Sequence, residues 1–137
     1  MYKKIIVAVD IAQLDKGERI LRKAATLLDQ GGTVLLVNVV EDLPGYLVSD
    51  LSVEMTIKAR QEAEDTLRAL KERAGGVPAN IEICQGSPAR EILGVAEEEQ
   101  ADLIIIASHV PDLSNYFIGA TADRIVRHAT CSVLIDR

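Results

Sequence analysis

The sequence predicts an α/β fold: a five-stranded, parallel, doubly wound sheet of order 3-2-1-4-5, with helices on both faces in a three-layer sandwich. Two observations carry that expectation. Short β-branched runs are apolar at nearly every position, as in Ile5-Ile6-Val7-Ala8-Val9 and Leu103-Ile104-Ile105-Ile106, which is the composition of strands covered on both faces. Between these runs, apolar residues recur at helical spacing, so strands and helices alternate along the chain. Crossovers of helix length make the sheet parallel and its connections right-handed.

Taken in order, the first run covers residues 4–9 and ends at Asp10. Ile20, Ala24, Leu27 and Leu28 mark a first helix, which Gly31-Gly32 stops. The second run, residues 33–40, leads into an irregular insertion at 41–52 whose Pro44-Gly45 fits a flap. Ala59, Ala63, Leu67 and Leu70 form the dry side of the longest helix, opposite Arg60, Glu64, Asp65 and Arg68. Met55 belongs to an apolar helix stripe, and Gly75-Gly76 ends the segment. Residues 81–84 make the weakest run, expected near a sheet edge. Ser87-Pro88 reads as an N-cap with proline at the first helical position, opening a helix through Ile92, Leu93 and Ala96. After the fourth run, 103–107, a last helix starts near Gly119 with Ala122, Ile125, Val126 and Ala129 inward, and residues 132–135 form the fifth strand. No repeat or linker divides the chain, so residues 1–137 read as one domain.

Composition narrows the function. Hydrophobic residues are 48% of the chain but aromatics only 3%, so the core is built from Val, Ile, Leu and Ala. A net charge of −6 lacks the electrostatic footprint of a nucleic-acid binder. A phosphate-bearing ligand must then be held by backbone dipoles, a metal ion or a local basic spot. Cys84 and Cys131 read as buried free thiols suited to a reducing compartment, and two cysteines with two histidines make no metal site. No apolar stretch reaches the roughly 18 residues that cross a bilayer. The expected location is the cytoplasm, without membrane insertion.

Open parallel sheets bind ligands beyond the carboxyl ends of their strands, where the strand order reverses. That places Asp10 opposite Ala107-Ser108-His109-Val110-Pro111-Asp112. Gly119-Ala120-Thr121, opening the last helix, offers bare backbone and unpaired N–H donors to an anion, or else an ordinary helix cap. Asp10 either accepts ligand hydroxyls, or a water-bridged Mg²⁺, or caps the turn into Ile11-Ala12. Neither the P-loop nor the dinucleotide fingerprint is present.

Ile106-Ala107-Ser108-His109, Gly119 and the stretch from Arg127 to Ile135 resemble the universal stress protein family, as do Lys3 to Asp10 and Gly86-Ser87-Pro88-Ala89. The likeness spans the chain, and Ala-Ser-His-x-Pro-Asp resembles a short-loop branch of that family. Nucleotide-binding members carry Gly, two residues, Gly, nine residues, Gly and then Ser or Thr. Here Ala107 and Val110 replace the first two glycines, eight residues separate Val110 from Gly119, and Ala120 stands at the hydroxyl position.

The resemblance implies an adenine nucleotide, ATP or AMP with or without Mg²⁺, bound by a regulatory protein. It implies Ala8, Val9 and Asp10 against the adenosine and Val39 on the base or sugar. Ala107, His109 and Val110 then line the crevice, while Gly119, Ala120 and Thr121 hold phosphates. It also implies a homodimer through antiparallel pairing of the C-terminal edge strand. The regulated partner is unidentified, and no catalytic residue is assigned. Two alternatives stand beside this reading: slow ATP hydrolysis through His109 and Asp112, and a nucleotide-free interaction module.

Overall fold

The computed structural model describes residues 1–42, 50–108 and 119–137. Its elements alternate as β1 (Tyr2–Ala8), α1 (Leu14–Leu27), β2 (Leu28–Val40), α2 (Asp50–Arg73), β3 (Ala79–Gln85), α3 (Pro88–Glu98), β4 (Leu103–Ala107), α4 (Ala120–His128) and β5 (Ser132–Asp136). The five strands lie in the order β3-β2-β1-β4-β5, with every neighbouring pair parallel. The short apolar run in β3 does sit at an edge.

Successive strand residues face opposite sides of a sheet, so each near-continuous apolar run feeds two cores. On one side Ile5, Val7, Leu36 and Ile105 pack with Ile20 and Leu21 of α1 and Leu67 and Leu70 of α2. On the other, Ile6, Val37, Ile104 and Ile106 meet Ile92 and Val95 of α3 and Ala122 and Ile125 of α4. The three layers follow directly. Among the described residues no helix is long and apolar enough to cross a membrane.

Polar ties pin the strand ends. The backbone N–H groups of Lys3 and Lys4 donate to the Asp102 carboxylate at 2.8 and 3.0 Å, fixing the start of β4 against β1. At the far end of β5, Asp136 accepts from Arg19 Nε at 2.5 Å and Lys23 Nζ at 2.7 Å, locking α1 to the last strand. Burial alone raises the Asp136 pKa, but the hydrogen bonds and charges of Lys23 and Arg19 outweigh it and hold the carboxyl below its ordinary 3.8. A depressed carboxylate stabilises the fold fully above its unfolded value, and that contribution is lost as pH falls through the folded one. Asp136→Asn therefore costs about 1 kcal/mol at neutral pH, since both cations reach solvent. In chemical denaturation the difference from wild type shrinks as pH falls below the ordinary 3.8 and through the lowered folded value. A difference between wild type and variant that stays the same at neutral and at acid pH contradicts the assignment.

Several local expectations are corrected. The helical spacing of Leu27 and Leu28 suggests a helix running to Gly31, yet α1 ends at Leu27 and Leu28 already pairs with Tyr2. Register then shifts from Tyr2↔Leu28 to Lys4↔Thr33, and the glycines accommodate this irregularity rather than stopping the helix. Gly31 has φ +81, and a Cβ on Gly32 would stand 2.8 Å from the Lys3 carbonyl oxygen.

In α4 only Ala122 and Ile125 are buried, and Val126 is exposed despite its apolar character. Met55 is likewise exposed, with Leu51, Val53 and Ile57. Arg60 is not on a fully wet face: it donates to the Ile83 carbonyl at 3.0 Å, tying α2 to β3. Ser87 occupies the N-cap position before Pro88 without a side-chain capping bond. The 41–52 insertion is shorter than expected because α2 begins at Asp50, and Pro44-Gly45 lies outside the described residues.

Cys84 and Cys131 are half-buried rather than buried. Burial, with Glu82 and Glu91 adding to it, pushes the Cys84 thiol up to about 11. Burial raises Cys131 too. Both are therefore protonated, poorly nucleophilic thiols at neutral pH.

Candidate functional site

Because β1 lies between β2 and β4, the chain leaves the central strand toward one face and re-enters its neighbour from the other. A crevice opens beyond the carboxyl ends of these three strands. It encloses about 340 Å³, the scale of a small-molecule site. Ala8 and Val9 from β1, Val37 to Val39 from β2, and Ile106 and Ala107 from β4 form its floor.

Three helices begin at this crevice. Gln13, Lys16 and Gly17 come from the start of α1 and Ile20 from further along it, Pro88 and Ile92 from the start of α3, and Gly119 to Ala122 from the start of α4. Helix amino ends present N–H donors and partial positive charge, so their convergence favours an anionic ligand despite the chain's net charge of −6. Gly119 carries the sharpest local constraint. As N-cap of α4 it has φ 88 and ψ 153, a conformation essentially reserved for glycine. Among the described residues no side chain caps α4.

The fork between β1 and β2 is held by Asn38, which is 6% exposed. Its Nδ2 donates to the Val9 carbonyl at 2.8 Å, while the Val9 N–H donates to the Val37 carbonyl at 2.9 Å. Together these bonds hold the end of β1 and fix where Asp10 departs. The Asp10 Oδ1 accepts the Ala12 N–H at 2.9 Å and its carbonyl accepts the Gln13 N–H at 2.9 Å. The Asx turn is thus present, and the same residue lines the crevice. Turn chemistry and a place in the cleft coexist.

Across the opening, Ser108 follows β4 and is held from two sides. Its N–H donates to the Asp136 carbonyl at 2.8 Å, and its own carbonyl accepts Lys16 Nζ at 2.9 Å.

Of the residues expected at the site, Ala8, Val9, Asp10, Val39, Ala107, Gly119, Ala120 and Thr121 all line this one crevice. His109, Val110 and Asp112 lie outside the described residues. Sequence reasoning missed Gln13, Lys16, Asn38 and Glu41, which also line it. Asn38 had a signal, being the one polar residue inside Val34-Leu35-Leu36-Val37-Asn38-Val39-Val40. Among the described residues no group of three or more His, Cys, Asp or Glu side chains is placed to hold a metal ion.

The model of the universal stress protein family matches residues 1–137. The chain is 30% identical over 145 residues to universal stress protein G of Salmonella typhimurium, covering 100% of both sequences. Among solved structures, the protein MJ0577 superimposes with a TM-score of 0.81 at 25% identity, over 98% of this chain and 95% of that one. The universal stress protein from Archaeoglobus fulgidus in complex with dAMP shares the fold, with a TM-score of 0.62 at 22% identity over 99% and 98% of the two chains.

Proposed function

This chain belongs to the universal stress protein family, and from that premise we propose that its crevice binds an adenine nucleotide, ATP or AMP, and that occupancy regulates what the protein presents to its partners. The observation that carries this reading is the meeting of three helix amino ends with the left-handed Gly119 at one cleft. Apolar Ala8, Val9 and Val39 suit the base and sugar, Asp10 the ribose hydroxyls or a water-bridged Mg²⁺, and Gly119, Ala120 and Thr121 the phosphates. The dAMP complex of the A. fulgidus relative agrees with this ligand class.

In this reading residues 1–137 act as one nucleotide-binding unit of the short-loop branch, working in the cytoplasm. Ala107 lines the crevice, and His109 and Val110, outside the described residues, are assigned to the same lining. A ligand moves such a protein only by binding two of its states unequally. The regulated partner is a protein that reads the occupied state. Two copies pair through β5, which meets β4 on one side and is an edge on the other. Antiparallel pairing of Val133, Leu134 and Ile135 covers that rim.

One experiment addresses both parts. Titration calorimetry of the full chain with ATP and with AMP is expected to give saturable heat, and sedimentation of the same samples to give twice the 14.9 kDa chain mass. No heat up to about 1 mM ligand, a limit of ~4 kcal/mol, sinks the nucleotide reading and favours the nucleotide-free interaction module. A single-chain mass at every concentration sinks the pairing through β5.

A further inference from the structure

The charges in the crevice are unevenly distributed. Among its described lining residues Asp10 and Glu41 are acidic, and Lys16 is the only cation. Lys16 stands in the first turn of α1, directly after Asp15. The helix dipole disfavours a cation there, so an ordinary surface helix gains nothing from a lysine at this position. Here the half-buried side chain instead reaches toward β4 and donates to the Ser108 carbonyl at 2.9 Å.

That carbonyl is a well-fixed acceptor, because the Ser108 N–H is itself bonded to the Asp136 carbonyl at 2.8 Å. The bond aims the ammonium without neutralising it, since the acceptor carries no net charge. An ammonium has three donors. One serves Ser108, and the others are suited to anionic oxygens in the cleft that Lys16 shares with Gly119.

We infer that Lys16 is the charge-reading residue of this cleft: held by Ser108, its ammonium bonds a phosphate oxygen and makes the site select nucleoside phosphates over the bare nucleoside. The inference rests on the adenine-nucleotide reading and deepens it, assigning the discrimination to one side chain. Gly119 contributes backbone dipoles that any polar group can use, whereas a full charge distinguishes an anion from a hydroxyl.

The test is calorimetry of the full chain with AMP and with adenosine, on wild type, Lys16→Met and Lys16→Arg, at low and high salt. Lys16→Met keeps the aliphatic stem and removes the charge. It is expected to weaken AMP about tenfold, the effect of one charge-assisted bond, and to leave adenosine unchanged. Added salt should weaken AMP binding to wild type and hardly affect the Met variant. Lys16→Arg should retain most of the preference, which also covers the case in which the Met variant folds poorly. Equal losses for AMP and adenosine reduce Lys16 to a prop for Ser108 and overturn the inference. So does undiminished AMP binding by Lys16→Met, and in both cases the nucleotide reading survives. If wild type binds neither compound, that reading falls and this inference with it.

Discussion

Gly119→Ala lowers nucleotide affinity at least tenfold while the protein still folds. The N-cap of α4 has φ 88 and ψ 153, where an L-residue carries about 1–3 kcal/mol of strain. The variant relieves that strain by rotating the local backbone, which turns the first N–H groups of the helix away from the cleft. A residual methyl group then also stands where phosphate would approach the bare backbone. Because Ala122 and Ile125 anchor α4 on the sheet, most of the effect should fall on binding rather than on folding. Calorimetry with ATP beside a thermal melt separates the two. An affinity within twofold of wild type means that phosphate does not meet this helix end, and the functional assignment loses its main support.

Ile105→Ala removes about 2–5 kcal/mol of stability, a large part of the 5–15 kcal/mol typical of a domain. Ile105 is fully buried and pairs in register with Val7 on one side and Leu134 on the other. Its side chain belongs to the cluster that includes α1 and α2 residues, so a cavity there loosens the sheet and both helices together. The urea midpoint should drop sharply with little change in slope. Ile105→Val should cost only about 1 kcal/mol. A small effect for Ile105→Ala would mean that this core can collapse around the gap.

What was legible in the sequence had local causes. Continuous apolar runs disclosed strands covered twice, Asp10 and Ala107 followed from the rule that places ligands beyond strand carboxyl ends, and Gly119-Ala120-Thr121 from the bare N–H groups of a helix opened by glycine. The start of β2 was hidden because Leu28 continues the helical spacing, while its pairing with Tyr2 is a contact distant in sequence. Lys16 was hidden because α1 begins without a side-chain cap at Gln13, so nothing near Asp10 marked where the first turn would aim. Val126 was misplaced because a nine-residue helix buries a narrow stripe and leaves other apolar residues outside. Asn38 was visible but mute: a polar residue in an apolar run reports a buried bond without naming the acceptor.

The central position of β1 also shapes how the chain emerges during synthesis. One flank can zip to β2 early, but the other waits for β4, as the Lys4–Asp102 bond across 98 positions illustrates. At about 5–20 residues per second, translation leaves that flank unmatched for roughly 5–20 s. The ligand cleft straddles the same seam, so a ribosome-bound chain stalled before β4 has a partial sheet but no receptor for its nucleotide.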